Sequence, residues 1–230
     1  MRVKTGPAET APSRMGWFVV IASAAALVAA FAVGLILINL SPEPGPPQGP
    51  VGGRCTAEPD AEQQDVDTDD SPEFPWQHVA GQEVTVHFAT GDLPFRYSAL
   101  VEQRADLWSR SPCIEALAVD GCPDETNCSA VVPAASADGR GDHTDADSEG
   151  VDRNGVRFAN TIRLYTNVLD RASDNGALAT VVHEMGHALG LVHRNDPDSV
   201  MNAVTGDHTD PAPDAIDFAN LVVIYGTVTG

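Results

Sequence analysis

Residues 183–193 read HEMGHALGLVH, and the spacing of the three histidines constrains this chain more than any other feature in it. Residues four apart on a helix share a face, so His183 and His187 can present two imidazoles to one point. A helix continued through residue 193 would carry His193 about 600° around the axis and roughly 9 Å beyond His187, facing elsewhere. The helix must therefore end between them. Gly190 is placed to end it, because glycine adopts the left-handed C-terminal conformation without steric cost and lets the chain fold back. Three converging imidazoles make a donor set for zinc, His183, His187 and His193, and they leave a fourth tetrahedral position open, the layout of a catalytic ion rather than a closed structural one. Glu184 lies beside the first ligand, where a general base is needed. A bare HExxH could arise by chance on a solvated helix. Here Gly190 and His193 also fall in register, and the flanking Ala, Leu and Val residues give the helix a face to bury.

Upstream, residues 17–40 carry no charged side chain and are nearly all apolar, long enough to cross a bilayer of about 30 Å as a helix. Arg2, Lys4 and Arg14 precede them against Glu9 alone, so the positive-inside rule places residues 1–16 in the cytoplasm and the rest outside. The reading is an uncleaved signal anchor and a single-pass cell-membrane protein; secretion after signal cleavage is the alternative. The formal net charge is −20, which excludes nucleic acid as a natural partner. Acidity of this kind fits solubility, calcium binding or a salty habitat equally well.

Four cysteines, Cys55, Cys113, Cys122 and Cys128, form an even set beyond the anchor and point to two disulfides, with three pairings open. A competing role for Cys55 follows from Arg54-Cys55 and the nearby Pro59-Asp60: a thiolate in a pro-segment could occupy the open metal position and keep an enzyme latent. Parity favours the disulfide, since the latency role strands one cysteine among the other three.

Residues 41–50, SPEPGPPQGP, form a semi-rigid spacer, and residues 55–75 are acidic and polar, a linker or a loosely attached strap. The folded domain is expected over 81–230, with 41–80 as linker. Residues 83–89 alternate as a half-buried strand, residues 95–110 recur at helical spacing, and residues 114–119, 129–133 and 161–166 read as strands. Residues 138–155, DGRGDHTDADSEGVDRNG, are expected to be a solvated loop that offers calcium several carboxylates. An EF-hand register from Asp145 fails, because Val156 stands where the bidentate Glu is required. Ser173–Gly176 supplies caps for the histidine helix, which runs to about Leu189. Met201 follows the third histidine by eight residues, and a methionine in a turn can form an apolar floor beneath a metal. Residues 214–225 close the chain as a helix with Gly226 as its stop.

Taken together, HExxHxxGxxH, Gly190-Leu191, Asp196-Pro197, Met201 and the helix ending in Tyr225-Gly226 resemble the metzincin metalloproteases, and within them the matrixins, relatives of the matrix metalloproteinases. Trp108-Ser109 closing the first helix is similar too. The resemblance implies an α/β (α+β) zincin-like fold: a twisted mixed sheet with a long N-terminal helix, a zinc-binding active-site helix and a C-terminal helix. It implies one catalytic zinc, Met201 in the Met-turn, peptide or protein substrates and a monomer. A second, structural zinc is poorly provided for, since only His143 lies in the preceding loop, and Asn202-Ala203 stands where Tyr-Pro is usual in the wall of the S1′ pocket. Two functions follow from different classes: a membrane-anchored extracytoplasmic zinc endopeptidase with Glu184 as general base, or a surface binding module that keeps the fold without hydrolysis.

Overall fold

The computed structural model describes residues 54–70, 73–135 and 145–228. They lie in the compact unit that spans 47–230. The elements in chain order are β1 (Thr56–Ala57), β2 (Val84–Ala89), α1 (Phe95–Trp108), β3 (Ile114–Val119), β4 (Cys128–Ala134), β5 (Ala146–Arg153), β6 (Val156–Tyr165), α2 (Thr166–Leu169), α3 (Asp174–Ala188), α4 (Ala215–Tyr225) and β7 (Thr227–Val228).

Five strands form a mixed sheet in the order β3-β2-β4-β6-β5. The pairs β2–β3, β2–β4 and β4–β6 are parallel, and β5 is antiparallel to β6 at one edge. The alternation in VTVHFA places Val84, Val86 and Phe88 in the core and leaves Thr85 and His87 half-buried on the other face. Helices α1 and α3 pack against the sheet and against each other. Tyr97, Val101, Ala105 and Trp108 of α1 and Val181, Val182 and Met185 of α3 fill the space between, joined by Phe218, Leu221 and Tyr225 of α4.

The polar stretch expected to be a loop is corrected in its second half. Residues 146–153 form β5, an edge strand. Its turn to β6 is Asn154-Gly155, with φ of 54° and 77°, the left-handed pair that a tight two-residue hairpin requires. The dipeptide signal outranks the missing apolar alternation, because a strand at a sheet edge with one face in solvent has little to bury. Residues 136–144, including His143 and the first half of the proposed calcium loop, lie outside the described residues.

Cys55 is bonded to Cys113 and Cys122 to Cys128, so Cys55 is a structural half-cystine, not a latency thiolate. The first bond ties the residue before β1 to the residue before β3, and β1 pairs in parallel with β7. The acidic segment after it is a strap laid on the domain. Trp76 is fully buried and donates from Nε1 to Ala188 O at 2.7 Å, so close packing begins before Gly81. The membrane localisation expected from residues 17–40 is also corrected. Among the described residues no helix is long and apolar enough to cross a membrane, and residues 17–40 lie outside them; the chain is not assigned a single-pass topology.

Candidate metal centre and active-site cleft

Helix α3 carries the first half of the site and is closed at both ends by local chemistry. Ser173 caps its N-terminus, accepting from Gly176 N at 3.0 Å, which satisfies one of the free donors of the first turn. At the other end Gly190, with φ of 97°, is reached by two reciprocal bonds: Gly190 N donates to His187 O and Leu191 N to Gly186 O, each at 3.0 Å. This is the Schellman arrangement, and it turns the chain back at the residue that the histidine spacing demands.

The reversal brings three rings together. His187 Nε2 lies 2.9 Å from His183 Nε2 and 3.2 Å from His193 Nε2. Each remaining ring nitrogen faces an oxygen that only accepts. His183 Nδ1 donates to Val200 O at 2.7 Å, His187 Nδ1 to Leu191 O at 2.8 Å, and His193 Nδ1 to Asp70 Oδ2 at 2.7 Å. Those partners call for a proton on Nδ1 of each ring and turn the three Nε2 atoms toward one another. In neutral rings with Nδ1 protonated the Nε2 lone pairs repel, and a cation relieves the repulsion. The donor set therefore fits a borderline-soft divalent ion, three imidazoles being a usual catalytic zinc set. Burial pushes the imidazolium form out of reach, lowering His183 to about 4 and His187 well below the ordinary histidine range, the latter helped by its two neighbouring histidines. Among the described residues these three histidines are the group able to hold a metal ion.

Glu184 is buried on the same helix, and burial, reinforced by the charges of Asp147 and Glu73, pushes its carboxyl up to about 8. With the histidines it lines a cleft of about 510 Å³, which Asp147 and Ser148 of β5 and Ala203 to Thr205 also border. Met201 is fully buried. Its carbonyl accepts from Arg194 N at 2.8 Å and its amide donates to Ser199 Oγ at 3.0 Å, and its side chain lies against Gly186 of α3.

Sequence reasoning missed three contributors. Arg157, fully buried, donates from Nη1 to His187 O at 2.7 Å and pairs with Glu73 and Asp152; it satisfies the last carbonyls of α3 and ties the strap to them. Arg194 pairs with Asp65 of the strap and with Asp214 and Asp217 at the head of α4. Asp70 reaches His193. No periodicity marks these residues, since their partners are remote in sequence; an arginine next to the third histidine and acidic residues in a segment with nothing to bury were the available signals.

No curated protein matches the chain. The family model described as matrixin, peptidase family M10, matches residues 76–226, more than half of the sequence and all of the histidine site. With the mixed five-stranded sheet, the interrupted histidine helix and the methionine turn already in place, the chain belongs to the matrixin family of metallopeptidases.

Proposed function

We propose that the chain is a zinc-dependent endopeptidase in which His183, His187 and His193 hold the ion and Glu184 is the general base. The observation that carries this reading is the convergence of three histidine Nε2 atoms in the cleft that Glu184 also lines. Zinc, when bound, supplies a Lewis acid that polarises the scissile carbonyl and acidifies water. Glu184 takes the proton from the attacking water and delivers it to the departing amine, so one carboxylate serves as base and then as acid.

Substrate binding follows from the sheet. β5 is hydrogen-bonded to β6 on one side only in the five-stranded sheet, and Ala146, Asp147 and Ser148 border the cleft. An extended peptide can add to that edge through its main chain while a side chain enters the pocket bounded by Ala203 to Thr205. The two disulfides suit a protein that works in an oxidising compartment.

The test is a fluorogenic peptide library with and without chelator, run beside zinc analysis. The wild-type chain should bind one zinc and cleave in a chelator-sensitive manner. Glu184→Ala should keep the zinc and lose roughly 10²–10⁴-fold or more in kcat/KM, the usual contribution of a positioned acid–base group. Undiminished turnover in that variant, or no chelator-sensitive cleavage by the wild type, would sink the assignment.

A further inference from the structure

Two of the three histidines are oriented from within the matched domain. His183 and His187 stand on a helix, and backbone carbonyls at Val200 and Leu191 hold their Nδ1 protons. His193 lies beyond the helix end, on the segment that has turned back, and it has a different kind of partner. Asp70, from the acidic strap upstream of the matched residues 76–226, places one carboxylate oxygen 2.7 Å from His193 Nδ1 and 3.1 Å from His193 N. We propose that Asp70 is a positioning residue for the third ligand, so that the strap is a working part of the metal centre; this rests on the zinc reading given above.

Several contacts show that the carboxylate is held and not merely nearby. Asp67 N donates to His193 O at 2.8 Å and Asn195 N to Asp65 O at 3.0 Å, and Val66 forms an antiparallel bridge with Arg194. The strap thus runs as a short ladder along residues 193–195. Arg194 secures its upstream end through Asp65, and is itself fixed by Asp214 and Asp217. Arg157 secures the downstream end through Glu73. Asp70 lies between two anchored arginines, with its oxygen shared by the backbone and ring N–H groups of one residue. Two donors on one acceptor fix both the position of His193 and the rotation of its ring.

The consequence is chemical as well as geometric. A carboxylate on the outer nitrogen of a ligating imidazole fixes the tautomer, aims the inner lone pair and raises its basicity, and loss of such a partner commonly weakens metal affinity by about 10–100-fold. If the carboxylate merely tacked the strap to the domain, its loss would alter folding stability and leave the affinity of folded protein unchanged.

The experiment uses the full chain. Zinc affinity is measured by chelator competition for the wild type, Asp70→Asn and His187→Ala, with cobalt(II) absorption spectra and metal-free thermal melts on the same proteins. Asp70→Asn should bind zinc about 10–100-fold more weakly, with an altered cobalt ligand-field spectrum and a metal-free melt close to wild type. Zinc affinity within threefold of wild type with an unchanged cobalt spectrum overturns the proposal while leaving the zinc reading intact. A wild type that takes up no zinc, or a His187→Ala variant that binds as tightly as wild type, overturns both. Should Asp70→Asn fail to fold, proton NMR of the zinc-loaded wild type decides. A downfield Nδ1–H resonance assigned to His193 and protected from solvent exchange supports the clamp, and rapid exchange at that proton refutes it.

Discussion

Gly186→Ala is the substitution that most directly tests how the floor of the site is built. Gly186 precedes His187 on α3, and a methyl group there would lie 2.3 Å from Met201 Sδ and 3.1 Å from both Met201 Cε and Trp108 Cζ2. Carbon atoms in contact prefer about 3.5–4.0 Å, so the neighbours must move. Two effects oppose each other. Replacing glycine in a helix interior favours folding by roughly 1 kcal/mol, whereas forcing a methyl into a close-packed core costs roughly 1–3 kcal/mol. Met201 and Trp108 are both fully buried, and the Met201 backbone is pinned by Arg194 and Ser199, so relaxation is restricted and overpacking wins. The expected net loss is on the order of 1 kcal/mol. A value that small decides little alone, and the coupling decides more. Met201→Ala empties a buried site and should cost about 2–5 kcal/mol. In the double variant the new methyl occupies part of that void, so the combined loss should fall short of the sum by about 1–2 kcal/mol, within the range seen for residues in contact. Urea unfolding of the four zinc-free proteins, with equal m values, measures the cycle. Zinc competition on the folded proteins should also show weaker binding in Gly186→Ala, because Val200, whose carbonyl orients His183, adjoins Met201. Additivity within about 0.5 kcal/mol, or a Gly186→Ala protein stabilised by the full helix gain, refutes the packing argument.

Chelation should lower the melting temperature, since an ion bound only by the folded state stabilises it by about 4 kcal/mol when free zinc exceeds its Kd a thousandfold; calorimetry with and without added zinc checks this, and an unchanged melt refutes it. Loss of Cys55–Cys113 should destabilise more than loss of Cys122–Cys128. The first closes 58 residues and the second 6, about 4 against about 2 kcal/mol by loop entropy, and paired Cys→Ser variants compared in denaturant give the order. Arg157→Ala should cost about 3–5 kcal/mol, because it strands Glu73 and Asp152 and uncaps α3. Arg157→Lys should recover little of that, lacking the fork that serves His187 O and the carboxylates together; full recovery in an equilibrium unfolding experiment would show that charge alone matters.

The centre of this site could be read from the sequence and its borders could not, and the reason is physical. α3 announces itself because its ligands, cap and stop are all local: Ser173, His183, His187 and Gly190 act through neighbours within a few residues, and the helical period ties them together. β5 has no such pattern. Its ADSEGVDR sequence is polar on both faces, and what holds it is cross-strand: the Asn154-Gly155 turn and the pairs that Arg163 of β6 makes with Asp147 and Glu149. An edge strand bordering a polar cleft has no apolar stripe to betray it. The strap is hidden for a related reason. Glu73 finds Arg157 across 84 residues of chain, Asp70 finds His193 across 123 and Asp65 finds Arg194 across 129. Charged groups held by partners so remote give no periodic signal, and an acidic segment with little to bury reads as linker whether or not a buried arginine awaits it. The strap therefore had to be found by geometry, and it is through geometry that it bears on chemistry. Without it the third histidine would stand on a turned-back loop with no carboxylate to aim its ring; with it, all three rings are locked in one tautomer, each by an acceptor from a different part of the chain.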